Sequence, residues 1–391
     1  MKNNRIYIAD VTLRDGEQAP GGAMFITEKI KVAEALDTMG VDIIEAGFAA
    51  SSQGDFESIQ SISKVVKNAT ICSLARTIKA DIDTAIEAVK HAKNKRIHIF
   101  VPTSPLHMTY KLNKKPDEVL EMTKTFVSHA RNFVDDVEWS AEDATRSDID
   151  FLCRCIETAI ESGARTINLP DTVGYATPLE YCELFKTLIE RIPNSDKAVF
   201  SAHCHNDLGM ATANSLAAIS GGARQIECTI NGIGERAGNA ALEEVVMAVK
   251  TRKDRFPFAT GINTTHISSI SKLVSNVTDF SIQKHKAIVG ANAFAHSSGI
   301  HQDGILKNSE TYEIMTPESI GVEKTKLVLS KHSGRAGLKD MLDDYSIDLT
   351  YEDLDEVFEQ FKKLCDYKKI ILDIDILELV RKTCKQRKCV A

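Results

Sequence analysis

Arg96-Ile97-His98-Ile99-Phe100-Val101 is a short β-branched run that stops at Thr103 and Ser104, and it is one member of a series. Strand-like runs alternate along the chain with amphipathic stretches in a unit of roughly thirty residues, the size of a βα unit. Strands are expected to start near Arg5, Val41, Ala69, Arg96, Val137, Ala164, Lys197 and Ala223. Between them a helical period runs over Thr27 to Met39, Asp55 to Val66, Asp117 to Phe133, Ile149 to Glu161, Pro178 to Ile192 and Ala211 to Ser220. Several of these stretches begin at Ser, Thr or Asp and end near a glycine, as at Gly40, Gly163 and Gly221, the usual helix start and stop signals. Eight such units in tandem imply an α/β fold, a (β/α)8 TIM barrel, whose active site lies at the C-terminal ends of the strands.

That rule makes an internal prediction, because polar residues should gather where each strand stops. Strand one runs into Arg14 and Asp15, strand two into Glu45 and strand three into Arg76. Strand five ends in Ser140-Ala141-Glu142-Asp143, strand six in Asn168-Leu169-Pro170-Asp171-Thr172, strand seven in His203-Cys204-His205 and strand eight in Asn231. From about Phe256 the repeat stops. Domains are therefore expected at 1–255, the catalytic barrel, and 256–391, a smaller, mainly helical C-terminal region. The latter should close with helices at Tyr351 to Leu364 and Ile374 to Thr383 and a frayed basic tail.

The 391 residues carry a net charge of −7 and no apolar run long enough to span a bilayer, which disfavours a nucleic-acid-binding or membrane protein. Met1-Lys2-Asn3-Asn4-Arg5 passes straight into a strand-like run, so no signal peptide is expected and the expected location is the cytoplasm. Nine cysteines without a Cys-x-x-Cys pair point to reduced, mostly buried thiols.

Alternation along a strand puts His203 and His205 on one face, and Asp15 can supply a third metal ligand. Two imidazoles and one carboxylate with open positions suit a divalent ion acting as a Lewis acid on a carbonyl. Oxygen-rich surroundings lean toward Mg²⁺ or Mn²⁺, with Zn²⁺ also compatible. The competing reading is a pair of barrel histidines satisfied by hydrogen bonds. Arg14 beside a metal would stabilise the oxyanion of a polarised ketone; its bland alternative is an ion pair bracing the barrel. Glu142 could be a base, a supporting partner or part of a barrel salt bridge. His301 sits in a small-residue loop that can approach a ligand closely, as general base or acid, or it is a solvated loop histidine. Gly232-x-Gly234 is not a dinucleotide fingerprint and fits a tight turn that aims Asn239 at the metal.

Together these residues resemble a metallolyase family whose barrels carry Arg-Asp-x-x-Gln on strand one and His-x-His on strand seven. The resemblance extends through Leu13-Arg14-Asp15-Gly16-Glu17-Gln18, Glu45-Ala46-Gly47-Phe48, Arg96-Ile97-His98, Ser140-Ala141-Glu142-Asp143, Gly234-Glu235-Arg236-Ala237-Gly238-Asn239, Ser298-Gly299-Ile300-His301-Gln302-Asp303-Gly304 and Tyr312-Glu313. Within the family the chain is similar to the branch that forms 2-isopropylmalate. The resemblance implies a Claisen-type condensation of acetyl-CoA with 2-oxoisovalerate and water in leucine synthesis. It implies Asp15, His203, His205 and Asn239 around a divalent metal, and Arg14, His98, Ser140 and Thr172 at the 2-oxoacid. It also implies Glu142 with His301 for removal of the methyl proton, Tyr312 as an acid, and a homodimer in which Tyr312 and His301 enter the partner subunit's site.

The chain departs from the family pattern twice. Relatives of this branch continue into a leucine-binding regulatory domain that is expected to be absent here, with insensitivity to leucine as the consequence. They also carry a proline after the phenylalanine where this chain has Gly47-Phe48-Ala49-Ala50, which bears on loop shape. Rival readings are citramalate, methylthioalkylmalate and homocitrate synthases, and an acyl-CoA lyase on the same barrel. Homocitrate chemistry would need a cation for a second carboxylate, for which Arg76 is the candidate, and a lyase would need a catalytic cysteine loop.

Overall fold

The computed structural model describes residues 4–388, with side chains through 383; expectations for Met1-Lys2-Asn3 and for the last three residues lie outside the described residues. Eight parallel strands close into a barrel in sequence order. They are β1 (Tyr7–Asp10), β2 (Ile43–Glu45), β3 (Thr70–Arg76), β4 (Lys95–Pro102), β5 (Val137–Glu142), β6 (Thr166–Asp171), β7 (Val199–Cys204) and β8 (Gln225–Cys228). β8 closes on β1 with Ile8 opposite Ile226. The main helices of the barrel unit are α1 (Ile26–Met39), α2 (Gln53–Val65), α3 (Lys79–Val89), α4 (Pro116–Arg131), α5 (Ile149–Glu161), α6 (Pro178–Arg191), α7 (Ala211–Gly221), α8 (Leu242–Thr251) and α9 (Ile267–Thr278).

Each strand is two-faced because its side chains alternate. Ile97, Ile99, Trp139, Ile167, Leu169, Phe200 and Ile226 are buried on the face that meets the helices. Their neighbours Arg96, His98, Glu138, Ser140, Asn168, Ser201, His203, Gln225 and Glu227 are equally buried but face the barrel interior, where branched aliphatics usually dominate. Buried polar groups must find partners. Arg96 Nη1 donates to Glu138 Oε2 and to Gln225 Oε1, both at 2.8 Å, while Gln225 Nε2 donates to Glu138 Oε1 at 2.8 Å and Ser201 Oγ at 3.0 Å. This satisfied polar layer is a floor beneath the barrel mouth.

The chain forms two compact units, Met1–Ile282 and Gln283–Ala391. The barrel unit extends past Phe256 because α9 buries Ile267, Ile270 and Val274 and its Ser271 carbonyl accepts Asn231 Nδ2 at 2.9 Å. The second unit holds a parallel pair, β9 (Ala295–His296) and β10 (Lys326–Leu327), with α10 (Gly299–Lys307), α11 (Arg335–Asp344), α12 (Tyr351–Tyr367) and α13 (Asp373–Lys388). Its core contains Leu338, Leu342, Val357, Phe361 and Ile376. The basic stretch expected to fray is helical as far as Lys388. Lys and Arg are good helix formers, and cations suit a helix C-terminus.

Candidate active site

After β1 the backbone tightens so that the amides of Arg14, Asp15 and Gly16 all point at the Val11 carbonyl, at 2.9 to 3.1 Å. This turn presents Arg14 and Asp15 side by side at the mouth. From β7, His203 and the following His205 arrive on the same face, with Nε2 atoms 3.1 Å apart. Asp15 Oδ2 lies 3.9 Å from His203 Nε2 and 3.8 Å from His205 Nε2. These three residues form a group whose ligand atoms lie within 4.8 Å of one another and could hold a metal ion.

The protonation states suit that task. Burial lowers both imidazoles to about 4 despite the nearby Asp15 carboxylate, so both are neutral at physiological pH. Burial opposes ionisation of Asp15, but Arg14, the two histidines and Asn239 outweigh it and hold the carboxyl well below its usual range. Asn239 Nδ2 donates to Asp15 Oδ1 at 2.7 Å, whereas Asn239 Oδ1 and His205 Nδ1 are buried without a hydrogen-bond partner. The buried, unpartnered Asn239 Oδ1 beside a neutral histidine pair and an ionised carboxylate fits a cation. Gly234 permits the arrangement: at φ +155° its missing Cβ would lie 2.1 Å from Asn239 Nδ2.

A cavity of about 350 Å³ opens above this triad. Its walls include Arg14, His98, Ser140, Glu142, Thr172, His203 and His205 among the expected site residues, together with Gln18, Leu74, Phe100, Lys111, Asn168, Glu227 and Arg236. Arg14 Nε donates to Glu45 Oε2 at 2.5 Å and Nη1 to Asp15 Oδ2 at 2.6 Å. Ion pairing and a place at the cavity are thus both true of Arg14. His98 bridges Glu45 Oε1 at 2.7 Å and Ser140 Oγ at 2.5 Å. Burial alone would lower His98, but Glu45 and the further Glu138 and Glu227 raise it to about 9. That favours the protonated ring, which donates to both neighbours. Thr172 Oγ1 accepts the Asp143 amide at 2.9 Å.

Not every polar strand end serves the cavity. Asn231 bonds to Ser271 of α9, and Arg76 forms a two-bond pair with Asp81 at 2.6 and 3.2 Å; neither lines the cavity. Asp171 accepts the amides of Tyr175 and Ala176, which shapes the loop after β6. His301 is not in a loop: Gly299–Lys307 is a helix beginning after Ser298, and glycine at its first position did not stop it. His301 stacks on Tyr312 with ring centroids 4.1 Å apart. Gly304 makes room for that tyrosine, since a Cβ there would lie 2.6 Å from the ring. Both residues belong to the second unit. Glu227 was missed in sequence, although its parity with Gln225 on one short strand marks it as inward-facing; its Oε2 lies 2.9 Å from His203 Nδ1. Lys111 was missed because it sits in an irregular turn with no periodic signal. The seven cysteines with described side chains are free, and four of them are buried.

Residues 5–274, which span the parallel eightfold barrel and the histidine–histidine–aspartate triad at its mouth, match the HMGL-like family, which gives the class of the protein. Residues 288–369 match a family described as homocitrate synthase post-HMGL domain-like. The 2-isopropylmalate synthase of Methylorubrum populi is 62% identical over 96% of this chain and 72% of its own length. That of Rhodopseudomonas palustris CGA009 is 59% identical over 97% and 72%. The chain belongs to the 2-isopropylmalate synthase family. Among solved structures, an HMG-CoA lyase from Acinetobacter baumannii in complex with coenzyme A and 3-methylmalate superposes with a TM-score of 0.60 at 18% identity, covering 74% of this chain and 97% of its own. The carboxyl transferase domain of Rhizobium etli pyruvate carboxylase gives 0.55 at 17% identity, covering 75% and 51%. These two show the shared fold. Among the described residues no helix is long and apolar enough to cross a membrane.

Proposed function

We propose that the site condenses acetyl-CoA with 2-oxoisovalerate and water to give 2-isopropylmalate and free CoA, a step of leucine synthesis. The observation that carries this reading is the convergence, in one cavity, of a neutral buried histidine pair, an ionised Asp15 and the Arg14 guanidinium. Asp15, His203 and His205, with the Asn239 oxygen, would hold a divalent ion, Mn²⁺ or Mg²⁺ in the first instance and Zn²⁺ as the other candidate. Bound there, such an ion supplies Lewis acidity toward the oxygens of a 2-oxoacid.

The protein's own groups do the rest. Arg14 donates to the ketone oxygen as it gains negative charge, which is where a preorganised donor accelerates most. Thr172 takes the substrate carboxylate, and His98 and Ser140 orient the 2-oxoacid. Glu142 and His301 act on the methyl proton of acetyl-CoA, with Tyr312 as the acid. Because His301 and Tyr312 are stacked, we treat them as one group delivered by the second unit to the partner subunit's site in a homodimer in the cytoplasm. Leu74 and Phe100 offer apolar wall to a branched side chain. Arg76, the candidate cation for a second carboxylate, is paired with Asp81 away from the cavity, which favours 2-oxoisovalerate over 2-oxoglutarate.

The test is thiol release from acetyl-CoA with a panel of 2-oxoacids, before and after chelation. The expected result is preference for 2-oxoisovalerate and activity restored by Mn²⁺ or Mg²⁺. Preference for pyruvate or 2-oxoglutarate overturns the assignment.

A further inference from the structure

We propose that Lys111 is a positioning residue for Glu142 in the proton-transfer step, an inference that rests on the reaction proposed above. The placement of Glu142 is fixed from behind. Directly after it, Asp143 turns into the left-handed region at φ 63°, and Ser104 Oγ (2.5 Å) and Arg146 Nε (2.8 Å) hold the Asp143 carboxylate. The chain therefore leaves β5 abruptly, with the Glu142 side chain at the cavity wall and only 13% exposed.

Lys111 arrives from the opposite direction. After β4 the chain makes a short turn at Pro105–His107 and then a wide π-type turn over Met108–Leu112, ended by Asn113 at φ 53°. Such wide turns distort the regular side-chain pattern and recur at functional sites. Here the distortion places Lys111 on the cavity wall, where its ammonium donates to Glu142 Oε1. His107 Nδ1 lies 3.4 Å from the same oxygen. The other oxygen, Oε2, is buried and without a hydrogen-bond partner.

One oxygen of the carboxylate is thus held by Lys111, and the other is enclosed without a hydrogen-bond partner. A base acting on the methyl group of a thioester needs both an ionised carboxylate and an open lone pair. Lys111 fixes the torsion of the Glu142 carboxylate at the cavity wall, and that carboxylate takes the proton as the C–H bond breaks. The C–H electron pair moves into the new C–C double bond, and the thioester oxygen takes the enolate charge. The charged groups around Glu142 are Lys111 and His107 from the turn after β4, and Asp143 and Arg146 from the turn after β5. Of these, Lys111 makes the hydrogen bond to the Glu142 carboxylate, and His107 stands farther from it at 3.4 Å.

The experiment compares wild type, Lys111→Met and Lys111→Arg in CoA release with 2-oxoisovalerate. With Lys111→Met, kcat/KM for acetyl-CoA should fall about tenfold or more, inside the roughly 100-fold range that misplacement of a reacting group costs. The primary isotope effect with trideuteroacetyl-CoA should increase, and Lys111→Arg should restore most of each change. A change in acetyl-CoA KM alone, with kcat and the isotope effect as in wild type, overturns the inference, as does a Lys111→Met protein indistinguishable from wild type. Absence of turnover in wild type overturns the reaction reading instead.

Discussion

Replacing Glu45 by glutamine keeps the shape of the side chain and removes one charge from the middle of the barrel. Glu45 is 2% exposed and accepts from Arg14 at 2.5 Å and His98 at 2.7 Å. Burial works against its carboxylate, but those two cations override burial and lower it from 4.5 to about 2. A carboxyl held that far down contributes about 3 kcal/mol of stability once ionised, and removing one partner of a buried ion pair costs roughly 3–5 kcal/mol. The rise of His98 to about 9 reports the same pairing from the other side, so the two are not added. Glu45→Gln should therefore destabilise the barrel unit by about 3 kcal/mol. The assay is urea unfolding in chelator, followed by Trp139, the sole tryptophan of the chain, fully buried on β5. The Glu45 contribution is present above pH 4.5 and lost as pH falls through about 2. The His98 contribution is present below pH 6.5 and lost as pH rises through about 9. The difference between the two proteins should thus be largest between these limits and shrink on both sides. A difference below about 1 kcal/mol at pH 6, or one that does not vary with pH, refutes the reasoning.

Gly234→Ala should weaken Mn²⁺ binding by roughly 10–100-fold, the usual cost of disturbing a group that orients a ligand, because the new Cβ meets Asn239 Nδ2 at 2.1 Å and Asp15 Oδ1 at 2.7 Å. Gly209→Ala, also at positive φ but with open space around it, is the control, and calorimetric titration distinguishes them; equal affinities refute the placement of Asn239. Because His203 and His205 lie at about 4 and Asp15 below its usual range, Mn²⁺ affinity should be nearly flat between pH 6 and 8 and fall only toward pH 4. A steep loss centred near pH 6.5, as for ordinary histidines, contradicts the neutral buried pair.

The barrel was legible because its signals are local. The start of β5 and both ends of α5 coincide with the reading from periodicity, and the other strands begin within two residues of expectation, since alternation and caps are written in neighbouring residues. His203, His205 and the Arg14-Asp15 pair were legible for the same reason, as residues at strand ends. What sequence did not reveal depends on partners far apart in the chain. Arg96, Glu138 and Gln225 form the floor across separations of 42 and 129 residues, and nothing in any one strand announces them. Asn231 and Asp171 obeyed the strand-end rule yet brace loops, because a polar strand end can satisfy its own turn as readily as a substrate. Lys111 was hidden in a turn whose irregular geometry breaks the helical period. The glycines and serines around His301 suggest a loop, whereas Ser298 precedes a helix start that tolerates Gly299.

Turnover is expected to depend on a divalent ion held by Asp15, His203 and His205. The measurement is metal content together with CoA release for wild type and His203→Ala, purified in parallel and reconstituted with Mn²⁺. The expected result is that wild type retains metal and turns over 2-oxoisovalerate, while His203→Ala loses both. Turnover that persists in a His203→Ala protein shown to be free of metal contradicts the claim.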